Sequence, residues 1–348
     1  MSSSSLQTDL NEAESNRYRL ENKASLNKNV SLAIKQAICW SLMFGIGDNT
    51  FSLFANHLNA PLFVYGALAW IPAFLGPFVQ IFSANVLDTY QHRLKLVYRP
   101  VFIQAFSFIP LIIIALFCMN MESNNNSKEM TLPLYIFLFT ILIYTLSGHF
   151  SAPPWQSLVG DFVSANERGS FFAKLSRSVS FFSLAGQMLV GLVLFMVAKY
   201  LNNSLHILAL VFAGCFVIAF LARLSSAMLI KRMVETPYQA PASSVFTFWQ
   251  FIKRAKESNF VQFVIFAAIL HGGANIAGPY FLPYWTDTLH LSQSDWIALQ
   301  ACGGFSTILT LMIWGRFSDL FGNKQTMKYC AILISLTPFC WIFVHNFW

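Results

Sequence analysis

The chain has 348 residues, of which 56% are apolar and only 11% are charged, whereas soluble domains carry about 25% charged residues. Apolar runs of about 20 residues recur along it, and each is long enough to cross a hydrocarbon core of roughly 30 Å. Because these runs are continuous rather than alternating, they exclude a closed barrel. We therefore predict an all-α, polytopic membrane protein.

Six predicted spans follow a polar N-terminal tail. Residues 1–32 are rich in Ser, Asn, Glu and Lys, and we interpret them as a cytoplasmic tail. We expect the fourth span to end at Pro153-Pro154, because proline lacks the N–H that continues a helix. A polar segment over 155–174 then precedes the fifth span. The six predicted spans of the bundle at 33–230 are 36–56, 61–85, 96–119, 132–152, 175–198 and 205–230.

A change of composition after the sixth span predicts a linker over 231–258. It contains Pro237, Pro241 and the basic cluster 253–256. Three further apolar runs follow, at 260–285, 294–314 and 327–348. The sequence therefore predicts nine spans: a six-helix bundle, a cytoplasmic linker, and an incomplete second bundle of three helices over 259–348.

The cations fix the predicted orientation. When the N-terminus is placed in the cytoplasm, only Lys128 and Lys199 of the 22 Lys and Arg residues fall on the outer side. Cytoplasmic loops of membrane proteins carry such an excess of cations. The net charge of +7 is thus explained by topology and does not indicate a nucleic-acid partner. We expect a multi-pass protein of the plasma or inner membrane, with its N-terminus cytoplasmic.

Two polar stretches repeat one pattern. In each, a small residue is followed four positions later by Asp, three later by Gly or Gln, and two later by a cation. Each copy lies between the second and third spans of a set, which favours a duplicated bundle. The copies comprise Gly315, Asp319, Gly322 and Lys324, and Ala84, Asp88, Gln91 and Arg93.

This plan of spans and loops resembles the major facilitator superfamily of secondary transporters. The stretch from Trp155 to Gly169, with Asp161 and Arg168, is similar to a cytoplasmic signature of that family. The resemblance implies two six-helix halves that rock around a central site. It also implies that Asp88 with Arg93, Asp161 with Arg168, and Asp319 with Lys324 form cytoplasmic gating motifs. Ala84 and Gln91 replace family glycines, so we expect the first copy to be a looser latch.

One acid lies inside a predicted span. Asp48, beside Asn49, is near the middle of span 1, where a charge costs about 2.5–3.5 kcal/mol on insertion scales. It should therefore face protein or water. We interpret it as a site that binds solute or a proton; the alternative is a structural acid bonded to a neighbouring helix. Because we find no intramembrane cation, the sequence favours a cationic or neutral polar solute over an anionic one.

Three further polar residues are candidates for the binding site. His271 and Asn275 lie in span 7 at positions that correspond to the polar part of span 1, and Gln187 lies near the middle of span 5. Histidine changes its charge near neutral pH, so His271 is a candidate for proton coupling. Packing between helices is the alternative for each of them.

The sequence predicts a transporter that moves a small solute by alternating access, coupled to protons or another ion. The alternative is a truncated remnant that does not transport, because the chain ends at Trp348 inside an apolar run, about nine spans into a family with twelve. A nucleotide-binding loop is lacking, and the histidines are scattered singly, so we expect neither an ATP-driven pump nor an enzyme. We expect no cofactor and no metal. The pattern leaves the oligomeric state open.

Overall fold

The structure is a computed structural model that describes residues 26–90, 92–121, 131–163, 168–201, 204–235, 253, 258–289, 293–341 and 343. The secondary structure over these residues is helical. The helices are α1 (Leu26–His57), α2 (Leu62–Trp70, Ile71–Leu75 and Gly76–Tyr90), α3 (Arg93–Phe106 and Phe108–Met121), α4 (Thr131–Phe162), α5 (Arg168–Tyr200), α6 (Leu205–Lys231), α7 (Asn259–Ala277, Gly278–Tyr280, Phe281–Pro283 and Tyr284–Thr288), α8 (Gln293–Phe321) and α9 (Asn323–Trp341).

Seven of the described helices, α1 to α7, are long and apolar enough to cross a membrane. This confirms the all-α, polytopic class. Helices α8 and α9 occupy the positions of the eighth and ninth predicted spans, which stay predictions as membrane crossings. The predicted linker lies outside the described residues apart from 231–235, 253 and 258, and so does residues 1–25 of the predicted tail.

Helix α1 begins at Leu26 rather than at residue 36, so the prediction of a tail was wrong for residues 26–32. The Asn29 side chain makes two hydrogen bonds to Val234, just beyond α6. Its Nδ2 donates to the Val234 carbonyl at 2.8 Å, and the Val234 N–H donates to its Oδ1 at 2.9 Å. A polar residue that looked typical of a tail therefore fixes the start of the first helix.

The expected end of the fourth span at Pro153-Pro154 was also wrong, because α4 continues to Phe162. Pro154 has no N–H, so the carbonyl of Phe150, four residues earlier, lacks its usual helical partner. The Ser83 hydroxyl of α2 donates to that carbonyl at 2.5 Å. Neighbouring Ser and Thr side chains commonly satisfy carbonyls that proline frees in membrane helices. Most of the segment predicted as a polar loop, up to Phe162, is therefore helical.

Most of the second copy of the repeated motif is helical, so the loop between the two helices is shorter than the sequence indicated. Gly315 and Asp319 lie on α8, which continues to Phe321, and α9 begins at Asn323. Gly322 separates the two helices with a φ of +81°. A side chain would strain that backbone conformation, so glycine is required there. The turn between the two helices is thus reduced to one residue.

Two buried apolar clusters hold the first six helices together. The larger one joins all of α1 to α6, and Leu282 of α7, around packed aromatic rings, among them Phe51, Phe54, Phe108 and Phe216. The smaller one joins α1, α3, α4, α5 and α6 around residues such as Val97, Leu158 and Ile230. Helix α7 reaches this bundle at one end, where Asn56 donates to the Thr286 hydroxyl at 3.2 Å. The two clusters leave a polar space between them.

The crossing of α1 and α5 depends on Gly45. A Cβ at this position would lie 2.2 Å from the backbone carbonyl oxygen of Ser183. We expect Gly45→Ala to destabilise the solubilised protein by about 1–3 kcal/mol, the usual cost of overpacking. Thermal unfolding of the detergent-solubilised protein measures this. Gly214→Ala is the matched control, since nothing lies within 4 Å of a Cβ there. Equal melting temperatures for the two variants would contradict the close approach.

Candidate functional site

A cavity of about 630 Å³ lies inside the first six helices. Each of α1 to α6 contributes to its wall, and Trp40, Phe44 and Trp155 form aromatic parts of it. Two opposite charges face this single space, which is unusual for a wall within membrane-spanning helices. The polar side chains of the lining are Gln36, Asp48, Ser52, Gln80, Gln104, Tyr144, Thr145, His149, Ser151 and Arg223.

Asp48 lies where α1 is locally irregular. A short 3-10 turn over Asp48–Thr50 interrupts the α-helix. The Thr50 hydroxyl donates to the carbonyls of Gly47 at 2.7 Å and Ile46 at 3.1 Å, which satisfies backbone groups at the interruption. The Asp48 side chain is half-buried and lines the cavity. The acid therefore lies at a break in a membrane helix and faces an open space rather than lipid.

Tyr144 of α4 lines the cavity together with Asp48. Its hydroxyl donates to the sulfur of Met43 at 3.2 Å. Its ring packs edge-on against Phe51 at 5.2 Å and against Phe108 at 5.5 Å between centroids. Rings packed on two sides leave the tyrosine little freedom, so its position in the cavity wall is fixed by α1 and α3.

Arg223 is the most informative residue that the sequence analysis missed. It was counted with the cytoplasmic cations, but it lies within α6, is buried and lines the cavity. Its Nε donates to Gln104 Oε1 at 2.7 Å, and a terminal nitrogen donates to the Ser226 hydroxyl at 3.2 Å. The prediction that no cation lies inside the membrane was therefore wrong. The signal was available, because the apolar run of span 6 continues past Arg223 to Ile230.

A chain of hydrogen bonds extends from Arg223 across four helices. Ser226 of α6 donates to Gln36 Oε1 of α1 at 3.1 Å. Gln104 of α3 donates through Nε2 to the carbonyl of Tyr144 on α4 at 3.2 Å. Each partner satisfies a polar group that would otherwise be buried at considerable cost. The network thus connects Arg223 to the backbone of Tyr144 in α4.

His149 is a second polar residue of the cavity for which the sequence gave no specific role. Its Nδ1 lies 2.8 Å from Gln80 Nε2, so the contact joins α4 to α2. Both residues line the cavity. A donor on Gln80 requires an unprotonated Nδ1, which corresponds to a neutral imidazole with its proton on Nε2.

Comparison with known proteins decides the family. The sequence model of the Major Facilitator Superfamily matches residues 99–348. The chain belongs to the major facilitator superfamily. No curated protein and no solved structure gives a significant match to it. The resemblance drawn from the span plan and the repeated motif is therefore confirmed, and this facilitator protein is a multi-pass membrane transporter for a small solute.

Asp48, one of the binding residues predicted from the sequence, lines the cavity of the facilitator. Asn49 and Gln187 are half-buried and lie outside that lining. His271 and Asn275 are exposed on α7, and likewise do not contribute to the described lining. The sequence predicted how far along each span these side chains lie. Whether they face the cavity depends on how α5 and α7 pack against their neighbours, which the sequence does not show.

The gating residues of the first half form pairs that differ from the predicted ones. Arg93 is fully buried, and it pairs with Asp161 and donates to the Ser157 carbonyl and hydroxyl at 3.2 Å each. Arg168, the expected partner of Asp161, donates instead to the carbonyls of Gly160 at 2.7 Å and Val163 at 3.3 Å. The predicted pairing of Asp161 was therefore wrong, because the helical continuation of α4 turns this acid towards α3.

The remaining motif residues are placed only in part. Asp88 lies on α2, and Gly315 and Asp319 lie on α8; the side chains of Asp88 and Asp319 are outside the described set. Lys324 is exposed at the start of α9. Their roles as gating residues stay predictions.

The Glu235 carboxylate, after α6, reaches the start of α3. It accepts from the Leu94 N–H at 3.2 Å and lies 3.9 Å from His92 Nδ1. The ends of α1, α3, α4 and α6 are therefore connected by polar side chains on the side of the molecule that we predict to be cytoplasmic.

A double-mutant cycle separates the two pairings of Asp161. We expect Arg93→Gln and Asp161→Asn to show a coupling energy above about 1 kcal/mol in thermal or chemical unfolding, because contacting charges in one network are strongly coupled. Arg168→Gln and Asp161→Asn should be additive within about 0.5 kcal/mol. A larger coupling for Arg168 than for Arg93 would restore the pairing drawn from the sequence.

Proposed function

We propose that this facilitator is a secondary transporter that moves a small polar solute by alternating access, driven by a proton or ion gradient. The observation that carries the proposal is the cavity inside α1–α6, with Asp48, Tyr144 and Arg223 on its wall. Its volume of about 630 Å³ lies within the roughly 300–1,000 Å³ typical of small-molecule sites. Charged groups within membrane helices commonly mark substrate and ion pathways.

Asp48 is the group that we propose for coupling. The neutral Tyr144 lines the same cavity, and no Lys or Arg forms an ion pair with Asp48 among the described residues. A carboxylate in that position gains most from a proton or a cationic group of the solute, because either one removes an uncompensated charge from a half-buried site. The solute and the coupling ion then compete for one side chain.

The polar contacts around Arg93 support a second part of the proposal, a latch. Arg93, Asp161 and Glu235 connect helix ends in the described part of the first half. We propose that these contacts stabilise one of the two alternating states, and that Asp319 and Lys324 serve the second half in the same way. Asp88 remains a candidate member of the first latch.

We propose that the N-terminus and the two motif loops face the cytoplasm, in the plasma or inner membrane. The distribution of Lys and Arg supports this orientation. A reporter that is active only in the cytoplasm, fused after residue 90 or after residue 322, tests it. Activity of both fusions is expected, and inactivity of either would refute the orientation.

Uptake into proteoliposomes tests the function. The purified protein is reconstituted and offered radiolabelled amino acids, amines, carboxylates and sugars under an imposed pH or sodium gradient. We expect accumulation of at least one solute, which an ionophore collapses. Empty liposomes are the control for leakage. Equilibration without accumulation would exclude gradient coupling, and the absence of any protein-dependent flux would contradict transport.

A further inference from the structure

The cavity holds two opposite charges that do not neutralise each other within the described residues. Asp48 on α1 and Arg223 on α6 both line it, and no ion pair involves either of them among the described residues. The hydrogen-bond partners of Arg223, Gln104 and Ser226, are neutral. Tyr144 and Gln104 line the same cavity as the two charged residues.

A protein normally avoids this arrangement. A buried charge without a counter-ion is strongly destabilising, and two opposite charges in one cavity would lower their energy by direct pairing. Here no ion pair joins the two charges among the described residues. The Tyr144 ring is packed against Phe51 and Phe108, and the Gln104 amide bonds both Arg223 and the Tyr144 carbonyl. The hydrogen bonds orient Arg223 without cancelling its charge.

The aromatic part of the cavity wall favours a solute that has an apolar part. Trp40 and Phe44 stack at 5.5 Å between ring centroids, and both line the cavity together with Trp155 and Leu68. Aromatic faces bind hydrocarbon and also attract cations. A solute that fills this space has an apolar part as well as charged ends.

We propose that the solute is zwitterionic, with a cationic group bound by Asp48, an anionic group bound by Arg223, and an apolar part against Trp40 and Phe44. This inference rests on the proposed transport function and narrows its substrate class. The solute supplies each of these two charges with a counter-ion. Binding requires both charges of the solute at once, because either one alone leaves the other protein charge uncompensated.

A charge-matched set of solutes tests the proposal. The zwitterion L-phenylalanine is compared with phenethylamine, which lacks the carboxylate, and with 3-phenylpropanoate, which lacks the amine. The same three-way comparison is made for leucine and for a dipeptide, and glucose represents neutral polar solutes. Binding to the detergent-solubilised full chain is measured by thermal shift and by equilibrium dialysis.

We expect at least one zwitterion to bind tenfold or more tightly than both of its singly charged analogues. Arg223→Gln should remove the advantage of the zwitterion over the amine, and Asp48→Asn should remove its advantage over the carboxylate. Arg223→Lys keeps the charge and should retain part of the discrimination, which guards against a variant that simply fails to fold. Arg177→Gln, at an exposed position of α5, is the matched control and should bind like the original chain.

The outcomes separate this inference from the proposed function. The zwitterion proposal is contradicted if a zwitterion binds no more tightly than one of its analogues, or if an amine, a carboxylate or glucose binds more tightly. Neither result contradicts the proposed transport function. Failure of every class to bind, together with absence of flux in proteoliposomes, contradicts both. Selective binding of a zwitterion that Arg223→Gln does not alter would also overturn the assignment of the anionic group to Arg223.

Discussion

Replacing Asp48 with asparagine is expected to abolish gradient-driven accumulation of the solute. The amide has nearly the same size as the carboxylate, so the packing around Tyr144 is kept while the charge is lost. Losing one partner of a desolvated charge pair costs about 2–5 kcal/mol, and about 3 kcal/mol corresponds to roughly a hundredfold loss of affinity. Initial rates and final accumulation ratios in proteoliposomes measure the effect.

The matched control is Asp287→Asn. Asp287 is exposed near the end of α7, where it accepts from the Thr286 hydroxyl at 2.9 Å. This variant loses the same charge at a distance from the cavity lining and should accumulate solute normally. Normal accumulation by Asp48→Asn would remove this acid from the mechanism, provided that both variants insert and elute as a single species.

Exchange of Gln104 for glutamate is expected to stabilise the protein and to impair its function at the same time. Gln104 Oε1 lies 2.7 Å from the Arg223 Nε, so a carboxylate there provides an internal counter-ion with almost no change of shape. We expect this new charge pair to outweigh the loss of the hydrogen bond from Gln104 Nε2 to the Tyr144 carbonyl. Charge-assisted hydrogen bonds are roughly twice as strong as neutral ones. We expect a higher melting temperature and an increase of about 1–2 kcal/mol in the free energy of unfolding. Solute binding should be at least tenfold weaker.

Gln262→Glu serves as the comparison, because Gln262 is exposed on α7 and gains the same charge outside the cavity. It should change neither stability nor binding measurably. A Gln104→Glu variant that is more stable and binds solute normally would show that Arg223 is structural. One that is less stable would contradict the predicted gain and show that the lost hydrogen bond from Gln104 Nε2 to the Tyr144 carbonyl outweighs the new charge pair.

The class of fold follows from the sequence because the membrane imposes it. In lipid, every backbone N–H and C=O must find its hydrogen-bond partner within the protein, so a continuous apolar run that crosses the membrane must be helical. Length and hydropathy were therefore sufficient to locate seven spans. The ends of helices were harder to predict, since they depend on distant partners. Ser83, far away in the chain, satisfies the carbonyl that Pro154 frees, and Asn29 holds the start of α1 to Val234. Neither contact has a local signature.

The candidate site was predicted in part, for a related reason. Asp48 stood out because an acid is costly in an apolar span, and the structure places it in the cavity. Arg223 is also a charged residue in an apolar span. Because it lies near the end of predicted span 6, it was counted with the cytoplasmic cations. The exposure of His271 and the pairing of Arg93 with Asp161 depend on how helices rotate against each other, which periodicity does not fix.

Solvent access to the cavity tests the central claim most directly. In a background with the six native cysteines replaced, Ser52→Cys and Ser151→Cys introduce thiols at the cavity wall, and Thr140→Cys introduces one at a buried position outside the described lining. We predict that a polar, membrane-impermeant thiol reagent, applied to both faces of opened vesicles, labels the two wall positions and spares Thr140→Cys. Labelling that spares Ser52→Cys and Ser151→Cys as well would show that water, and hence solute, does not enter this space.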